Sequence, residues 1–214
     1  MRELVLRWKH MIGILTIPVQ GMLYVWISER FGANSRLDYT WIDTKIPFVE
    51  WFIFPYMSWM PVLYASFIYL AIRMREIYWR TLIIYNIAVM AGNICFWLFP
   101  TYVPRPDIPN NDRIHDLVNF MYQADAPYNC FPSIHCLTSY LLFITLQRQM
   151  NVKAPLRTMW SVLLWLIIAS TVFVKQHSLL DVLGGIAFAE IVYRLVYYAY
   201  SRNYNQDKEF NLKY

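Results

Sequence analysis

Residues 78–99 read YWRTLIIYNIAVMAGNICFWLF, and beyond Arg80 this stretch contains no charged residue. As a helix rising about 1.5 Å per residue it would extend roughly 33 Å. The hydrocarbon core of a bilayer is about 30 Å thick, which takes roughly 20 residues of helix to cross. This stretch therefore predicts a transmembrane helix.

Five further apolar segments flank it on either side. With the first they predict an all-α fold, a six-transmembrane-helix bundle that forms one polytopic membrane domain over residues 1–214, with a short polar tail from about residue 202. The first segment is interpreted as a retained span, because it is long and no small-residue cleavage site follows it. The predicted spans are residues 11–28, 49–72, 78–99, 132–147, 158–174 and 179–200.

The composition excludes an ordinary soluble domain, since 58% of the residues are apolar and only 15% are charged. The net charge of +5 does not indicate nucleic-acid binding, because the basic residues lie in short clusters between apolar runs. Three cysteines argue against a disulfide framework. Cys130 and Cys136 flank His135, but zinc ligands usually come in tighter pairs, so neither a metal nor another cofactor is predicted.

Basic residues are concentrated in every second connecting segment, and so on one side of the predicted bundle, which predicts cytoplasmic termini in a multi-pass protein of the cell membrane. The basic clusters of the inner side contain Arg2, Arg7, Lys9, Arg73, Arg75, Arg80, Arg148, Lys153, Arg157, Arg202, Lys208 and Lys213. The outer side gathers the acids Asp38, Asp43, Asp107, Asp112, Asp116 and Asp125.

The external loop of residues 100–131 contains one short helical pattern. Its apolar positions are Ile114, Leu117, Val118 and Met121, with Asn111 or Asp112 as the predicted cap. We expect an amphipathic helix on the bilayer surface.

The fourth predicted span begins with Pro132 and Ser133, followed closely by His135. Proline suits the first turn of a helix, and the free N–H groups there favour an anion. Ser133 would add a hydroxyl donor and His135 a titratable group. The alternative is an ordinary helix start with a satisfied histidine. Polar side chains within this span should face the bundle interior.

His177 and Asp181 are four residues apart, so they share one face of the sixth predicted span. A carboxylate there can accept the Nδ1–H of the imidazole and leave Nε2 nucleophilic. The alternative is a structural polar pair at a helix terminus. Gly184 and Gly185 follow, and they predict a close helix contact.

Two cations fall on the same predicted face. Arg105 could bind phosphate oxygens, although most loop arginines are simply solvated. Lys175 could also bind phosphate or could be an interfacial anchor. Read jointly with His135, His177 and Asp181, they indicate a site for phosphate chemistry at the outer face. His10 and His115 lie outside this set and are predicted to be surface residues.

The set resembles the three motifs of the type-2 phosphatidic acid phosphatase superfamily. The matching residues are Arg105-Pro106, Pro132-Ser133-Ile134-His135, and Ser170 with His177 and Asp181. Membrane members of that superfamily have six spans with the site at the outer face. Residues 128–135, YNCFPSIH, further resemble the branch that contains inositol-phosphoceramide synthases.

Three positions depart from the family pattern: Leu98 and Thr171 stand where cations are usual, and Ile134 stands where glycine is usual. Lys175 is a hypothetical substitute for one missing cation.

The resemblance implies a metal-independent lipid phosphatase that acts on a lipid phosphate monoester or diphosphate. His177 would form a phosphohistidine, Asp181 would orient it, and His135 would serve as acid and base. The phosphate would be bound by Arg105, Ser133, Ser170 and Lys175. A phosphotransferase using an alcohol acceptor shares this machinery. A small transporter or channel is the alternative from another class, because ionisable residues inside a membrane also mark ion paths.

Overall fold

The computed structural model describes residues 9–109 and 112–211, with side chains described up to residue 200. The chain is mostly helical, and 3-10 turns cover Lys9–Leu15, Gly32–Asn34, Asp43–Lys45 and Glu50–Phe52. The α-helices are α1 Thr16–Phe31, α2 Ile53–Met57, α3 Trp59–Arg73, α4 Arg75–Leu98, α5 Arg113–Ala124, α6 Ile134–Gln149, α7 Ala154–Phe173 and α8 Leu179–Asn211.

Within the described residues, four helical stretches are long and apolar enough to cross a membrane. They are Lys9–Asn34, Glu50–Arg73, Arg75–Leu98 and Ala154–Phe173. The last three match predicted spans to within four residues at both ends, and the first extends six residues beyond the predicted end at residue 28. The other two predicted spans correspond to α6 and α8, which are helices as expected.

The centre of the fold is α6, which packs against α7, α8, α3 and α4. Leu137, Leu141 and Ile144 of α6 are fully buried in the main apolar core. The polar side chains Thr138 and Ser139 are buried as well. The prediction that the polar residues of this span face the bundle interior is therefore confirmed.

The helix α6 begins later than predicted, so Pro132 is not part of its first turn. The helix begins at Ile134, and Ser133 is its N-cap, with Ser133 Oγ accepting a hydrogen bond from the Cys136 N–H at 3.3 Å. Pro132 lies before the cap, after a cis peptide bond with Phe131, and not in the first turn. The Ser133 hydroxyl thus accepts a hydrogen bond from the helix start, and the predicted donation by its O–H to a phosphate stays a prediction.

The predicted loop helix is present as α5, and Asp112 caps it by accepting from the N–H groups of Ile114 and His115. The alternative cap, Asn111, lies outside the described residues. The apolar face of α5 packs against the protein itself, and its predicted position on the bilayer surface stays a prediction. Val118 is fully buried against Ile53 and Val174, because these side chains of α2 and of the turn after α7 complete an apolar cluster.

One feature departs from the all-α prediction. Residues Arg36–Leu37 (β1) pair in parallel with Thr101–Tyr102 (β2). Tyr102 also forms an antiparallel bridge with Tyr128. This pairing holds the loop after α1 beside the long loop that precedes α6.

One other prediction, the surface position of His10, is corrected, and the C-terminal segment extends α8. His10 is buried, and its Nε2 lies 2.9 Å from the Ala71 carbonyl oxygen, because the ring packs edge-on against Tyr78 inside the bundle. The predicted polar tail from about residue 202 continues α8 through Asn211. That segment contains no proline or glycine that would end a helix.

Candidate active site

Three side chains from two sequence motifs meet above the start of α6. His177 Nδ1 lies 3.3 Å from Asp181 Oδ2, and His177 Nε2 lies 3.4 Å from His135 Nδ1. All three residues are buried. The structure thus brings together the two histidines and the aspartate that the sequence singled out.

Backbone contacts between the starts of α6 and α8 fix this arrangement. The Ser133 N–H donates to the Asp181 carbonyl oxygen at 3.0 Å. The predicted close helix contact is also confirmed, because a Cβ at Gly185 would meet the Ser133 carbonyl oxygen at 2.5 Å. A Cβ at Gly184 would meet the ring of Phe131 at 2.4 Å.

A tight turn after α7 aims His177 at the site. The Thr171 carbonyl oxygen accepts from the N–H groups of Gln176 and His177, at 2.9 and 3.0 Å. Lys175 has a positive φ of 54° within this turn. After the turn, the Ser178 N–H donates to Asp181 Oδ2 at 2.8 Å, and Ser178 Oγ accepts from the Asp181 N–H at 3.2 Å. The carboxylate is therefore held by its own helix start.

Aromatic rings hold His135 in place. Its ring lies 4.6 Å from that of Tyr56 and 4.0 Å from that of Trp59, measured between centroids. The Tyr56 hydroxyl donates to Asp125 Oδ2 at 2.8 Å, and the Tyr24 hydroxyl donates to Asp125 Oδ1 at 3.0 Å. This ring stack leaves the edge of His135 facing His177.

Arg105 is the predicted cation that the structure brings to the site. Its Nη1 donates to the Tyr122 carbonyl oxygen at 2.8 Å and its Nη2 donates to Gln176 Oε1. The guanidinium lies over the Tyr122 ring, 4.6 Å from the centroid. Its charge acts on His177, the neighbour of Gln176.

The other predicted phosphate ligands have partners within the protein. Lys175 Nζ donates to the Asp43 and Ile46 carbonyl oxygens at 3.0 and 2.5 Å. Ser170 Oγ donates to the Ile167 carbonyl oxygen at 2.6 Å, and the side chain is fully buried. Their phosphate-binding roles, like that of Ser133, stay predictions.

Burial sets the charge state of His177. Loss of hydration lowers the pKa of this imidazole to about 4, although the Asp125 carboxylate raises it and Arg105 lowers it further. The ring is therefore neutral at physiological pH. A neutral imidazole whose Nδ1 faces a carboxylate presents Nε2 as a lone-pair donor, which is the form a nucleophile needs.

Cys130, His177 and Asp181 also place ligand atoms within 4.8 Å of one another. Burial raises the pKa of the Cys130 thiol well above its usual range, and Sγ lies 3.3 Å from the Pro127 carbonyl oxygen as a donor. Metal ligation requires a thiolate, and the His177–Asp181 pair is already joined by a hydrogen bond. These residues fit an oriented nucleophile better than a metal centre.

A cavity of about 490 Å³ adjoins the two histidines. Its lining combines polar side chains, which are His135, His177, Asp125, Asn129, Gln20 and Asn93, with apolar ones that include Ile17, Val25, Met60, Tyr85 and Val89. Val25 of α1 and Met60 of α3 are also exposed on the outer surface of the bundle. The cavity therefore reaches the apolar flank between α1 and α3.

Sequence reasoning missed several residues around the trio: Tyr56, Trp59, Asp125, Gln176, Asp38 and Asp43. For the aspartates the signal was the gathering of acids on one side of the predicted bundle. The aromatic residues gave no signal, because aromatic side chains are common along every span.

Comparison with known proteins agrees with the geometry. The family model described as PAP2 superfamily matches residues 78–205, which contain Arg105 and the whole trio. No curated protein and no solved structure gives a significant match. Membership of this superfamily indicates phosphatase or phosphotransferase chemistry on phosphate esters. The order of the motifs, the meeting of their side chains and the extent of the match lead to one conclusion: the chain belongs to the PAP2 superfamily.

Proposed function

We propose that the protein is a membrane lipid phosphatase that hydrolyses a lipid phosphate monoester or diphosphate through a phosphohistidine on His177. The observation that carries this proposal is the cavity that joins His135 and His177 to the apolar flank of the bundle. Such a cavity can take a phosphate beside the two histidines and a hydrocarbon chain along its apolar side chains.

The first step is attack on phosphorus by His177 Nε2. The N–P bond forms while the P–O bond to the lipid alcohol breaks, and His135 gives a proton to the departing oxygen. Asp181 holds the Nδ1–H of His177 throughout, which stabilises the positive charge that grows on the ring. His135 Nδ1 lies 3.4 Å from His177 Nε2, so both rings border the space that the phosphoryl group would occupy, and His135 enters this step in its protonated form.

The second step returns the enzyme to its starting state. Water attacks phosphorus as His135 removes its proton, the N–P bond breaks, and inorganic phosphate leaves. Arg105 and the N–H groups of Ile134 and His135 at the start of α6 stabilise the charge on the equatorial oxygens. The chemistry needs no metal, so it should survive EDTA.

The proposal includes a six-span arrangement in the cell membrane, with α6 and α8 crossing beside the four longest apolar stretches. Both termini are cytoplasmic and the site lies on the outer face. The distribution of basic residues supports this orientation. Accessibility of single engineered cysteines in the loops to a membrane-impermeant thiol reagent tests it.

The decisive experiment measures phosphate released from a panel of glycerolipid, isoprenoid and sphingolipid phosphates, with and without EDTA. We expect release that EDTA does not abolish and that is lost in the His177→Ala variant. Full activity in that variant would refute the nucleophile, and lipid flux without turnover would indicate a transporter.

A phosphotransferase differs only in the acceptor of the second step. The resemblance of residues 128–135 to inositol-phosphoceramide synthases supports this alternative. Mass spectrometry of the products, with and without candidate alcohols, distinguishes the two: a new phosphodiester indicates transfer, and free phosphate alone indicates hydrolysis.

A further inference from the structure

The loop of residues 38–46 is fastened over the start of α8. Asp43 Oδ1 accepts from the Leu179 N–H at 2.8 Å, and Lys175 Nζ donates to the Asp43 and Ile46 carbonyl oxygens. At its other end, the Asp38 N–H donates to the Tyr102 carbonyl oxygen at 3.0 Å. These contacts fix the position of Asp38 beside the site from two directions.

The Asp38 side chain lies within hydrogen-bonding distance of the Asp181 carboxyl group. Asp181 Oδ2 already faces His177 and the Ser178 N–H. Asp181 Oδ1 is buried, and within the described residues no N–H or hydroxyl group donates to it. A buried carboxylate oxygen without a hydrogen-bond donor destabilises the folded protein. The neighbouring carboxyl group of Asp38 can supply that donor if it is protonated.

Two adjacent carboxyl groups cannot both be ionised cheaply, and one of them keeps a proton. The donors on Asp181 favour its anion. Asp38 is half-buried, and among the described contacts its carboxyl group has no N–H donor. Burial and the hydrogen bond with Asp181 raise the pKa of Asp38 from 3.8 to about 7. The shared proton therefore resides on Asp38.

We propose that Asp38 is a positioning residue: its protonated carboxyl group donates to Asp181 Oδ1 and so holds Asp181 Oδ2 toward His177 Nδ1. This inference rests on the proposed function, because it assigns His177 as the nucleophile. When Asp38 loses its proton, Asp181 loses a donor and gains a repelling neighbour, and the orientation of His177 relaxes.

Other charged or titratable groups surround this pair, and none supplies a donor to Asp181 Oδ1 in the described structure. They are Asp43 on the same loop, Lys175 and His177 on the turn after α7, Cys130 before α6, His135 on α6, and Arg105 and Asp125 beside His177.

The test compares kcat/KM against pH in the wild type, Asp38→Asn and Asp38→Ala. Wild-type activity should decline above about pH 7. The amide of the Asn variant also donates but cannot lose its proton in this range, so it should remain active with an alkaline limb shifted to higher pH. The Ala variant lacks the donor, and its kcat should fall about 10- to 100-fold with little change in KM.

Asp107→Asn is the matched control, since Asp107 is an exposed acid on the long loop and should leave the profile unchanged. An Asn variant with the wild-type alkaline limb, or an Ala variant with full kcat, would overturn the role of Asp38.

An infrared measurement separates this inference from the proposed function. A protonated carboxylic acid has a C=O stretch distinct from that of a carboxylate, and we expect such a band at neutral pH that disappears in Asp38→Asn. If no lipid phosphate is hydrolysed, the proposed function fails while the band still reports on the pair. A band that persists in the Asn variant, or none in the wild type, refutes the shared proton.

Discussion

Gly185 of α8 packs directly against the backbone of Ser133, so closely that a Cβ would lie 2.5 Å from the Ser133 carbonyl oxygen. The same approach lets the Ser133 N–H reach the Asp181 carbonyl oxygen at 3.0 Å. His135 follows Ser133 by two residues, and His177 precedes Asp181 by four. The distance between the histidine rings therefore depends on a helix contact that only glycine permits.

Replacing Gly185 with alanine should push the two helix starts apart. Alanine is favoured over glycine within a helix by about 1 kcal/mol, but overpacking against backbone atoms costs roughly 1–3 kcal/mol. We expect a lower midpoint of thermal unfolding and a lower kcat. Gly21→Ala is the matched control, because a Cβ there meets nothing within 4 Å and should not destabilise the fold. Equal effects of the two changes would contradict this account.

Arg105 should bind phosphate through its planar guanidinium, which the Tyr122 ring and Gln176 hold in place. Lysine keeps the charge but loses the fork of donors. Arg105→Lys should raise KM about 10- to 100-fold, the equivalent of roughly 1.5–3 kcal/mol for charged hydrogen bonds. Arg113→Lys alters an exposed arginine and should leave KM unchanged. An unaltered KM in the Arg105 variant would remove it from the phosphate site.

The features that could be predicted are those with a local signal. Apolar runs marked the helices, and Asp112 marked the start of α5. The spacing of His177 and Asp181 predicted a shared helix face; their side chains do meet, but His177 lies in the turn before α8, which begins at Leu179. Their meeting with His135 followed from the predicted topology and from the family pattern.

The features that could not be predicted depend on polar contacts between distant loops. Asp43 binds the Leu179 N–H across 136 positions of sequence, and Lys175 Nζ reaches the Ile46 carbonyl oxygen across 129. Such contacts have no periodicity and no fixed spacing, so residues of this kind look like ordinary solvated loop residues. His10 was misjudged for the same reason, since its partner is a backbone carbonyl on another helix.

Lys175 has two candidate roles, stabilising the loop of residues 38–46 and binding phosphate, and one variant distinguishes them. Because its ammonium group is bound to two loop carbonyls, Lys175→Met should lower the midpoint of thermal unfolding. We expect inhibition by inorganic phosphate to be unchanged in this variant. Arg105→Lys is the positive control, in which inhibition by phosphate should weaken. A similar weakening in Lys175→Met would instead show that Lys175 binds phosphate.

The fall of kcat/KM at low pH, the acid limb of its profile, should reflect protonation of the His177 imidazole. Burial holds its pKa at about 4, so the nucleophilic neutral form persists well below the ordinary imidazole value of roughly 6.5. kcat/KM should fall about tenfold per pH unit only below about pH 4. The native state binds fewer protons at His177 than the unfolded state between these two values. Its contribution to the free energy of unfolding should therefore decrease as pH falls through that window.

The His115→Gln variant is the control for this limb, because His115 lies on α5 and pairs with Asp112 away from the trio. Its profile should coincide with that of the wild type. An acid limb near pH 6.5 in both proteins would show that His177 is not held neutral by burial.

A bulky side chain at the mouth of the cavity should discriminate between substrates. Gly21 lines the cavity on α1 and faces open space, so Gly21→Phe should fill the path of a hydrocarbon chain. We expect kcat/KM on a long-chain lipid phosphate to fall by about tenfold, the effect of roughly 1–3 kcal/mol of overpacking. A short, soluble phosphate ester should be hydrolysed as before. Val19→Phe adds the same ring to an exposed position of α1 outside the cavity and should leave both substrates unaffected. If Gly21→Phe slowed the two substrates equally, the cavity would not be the binding path of the chain.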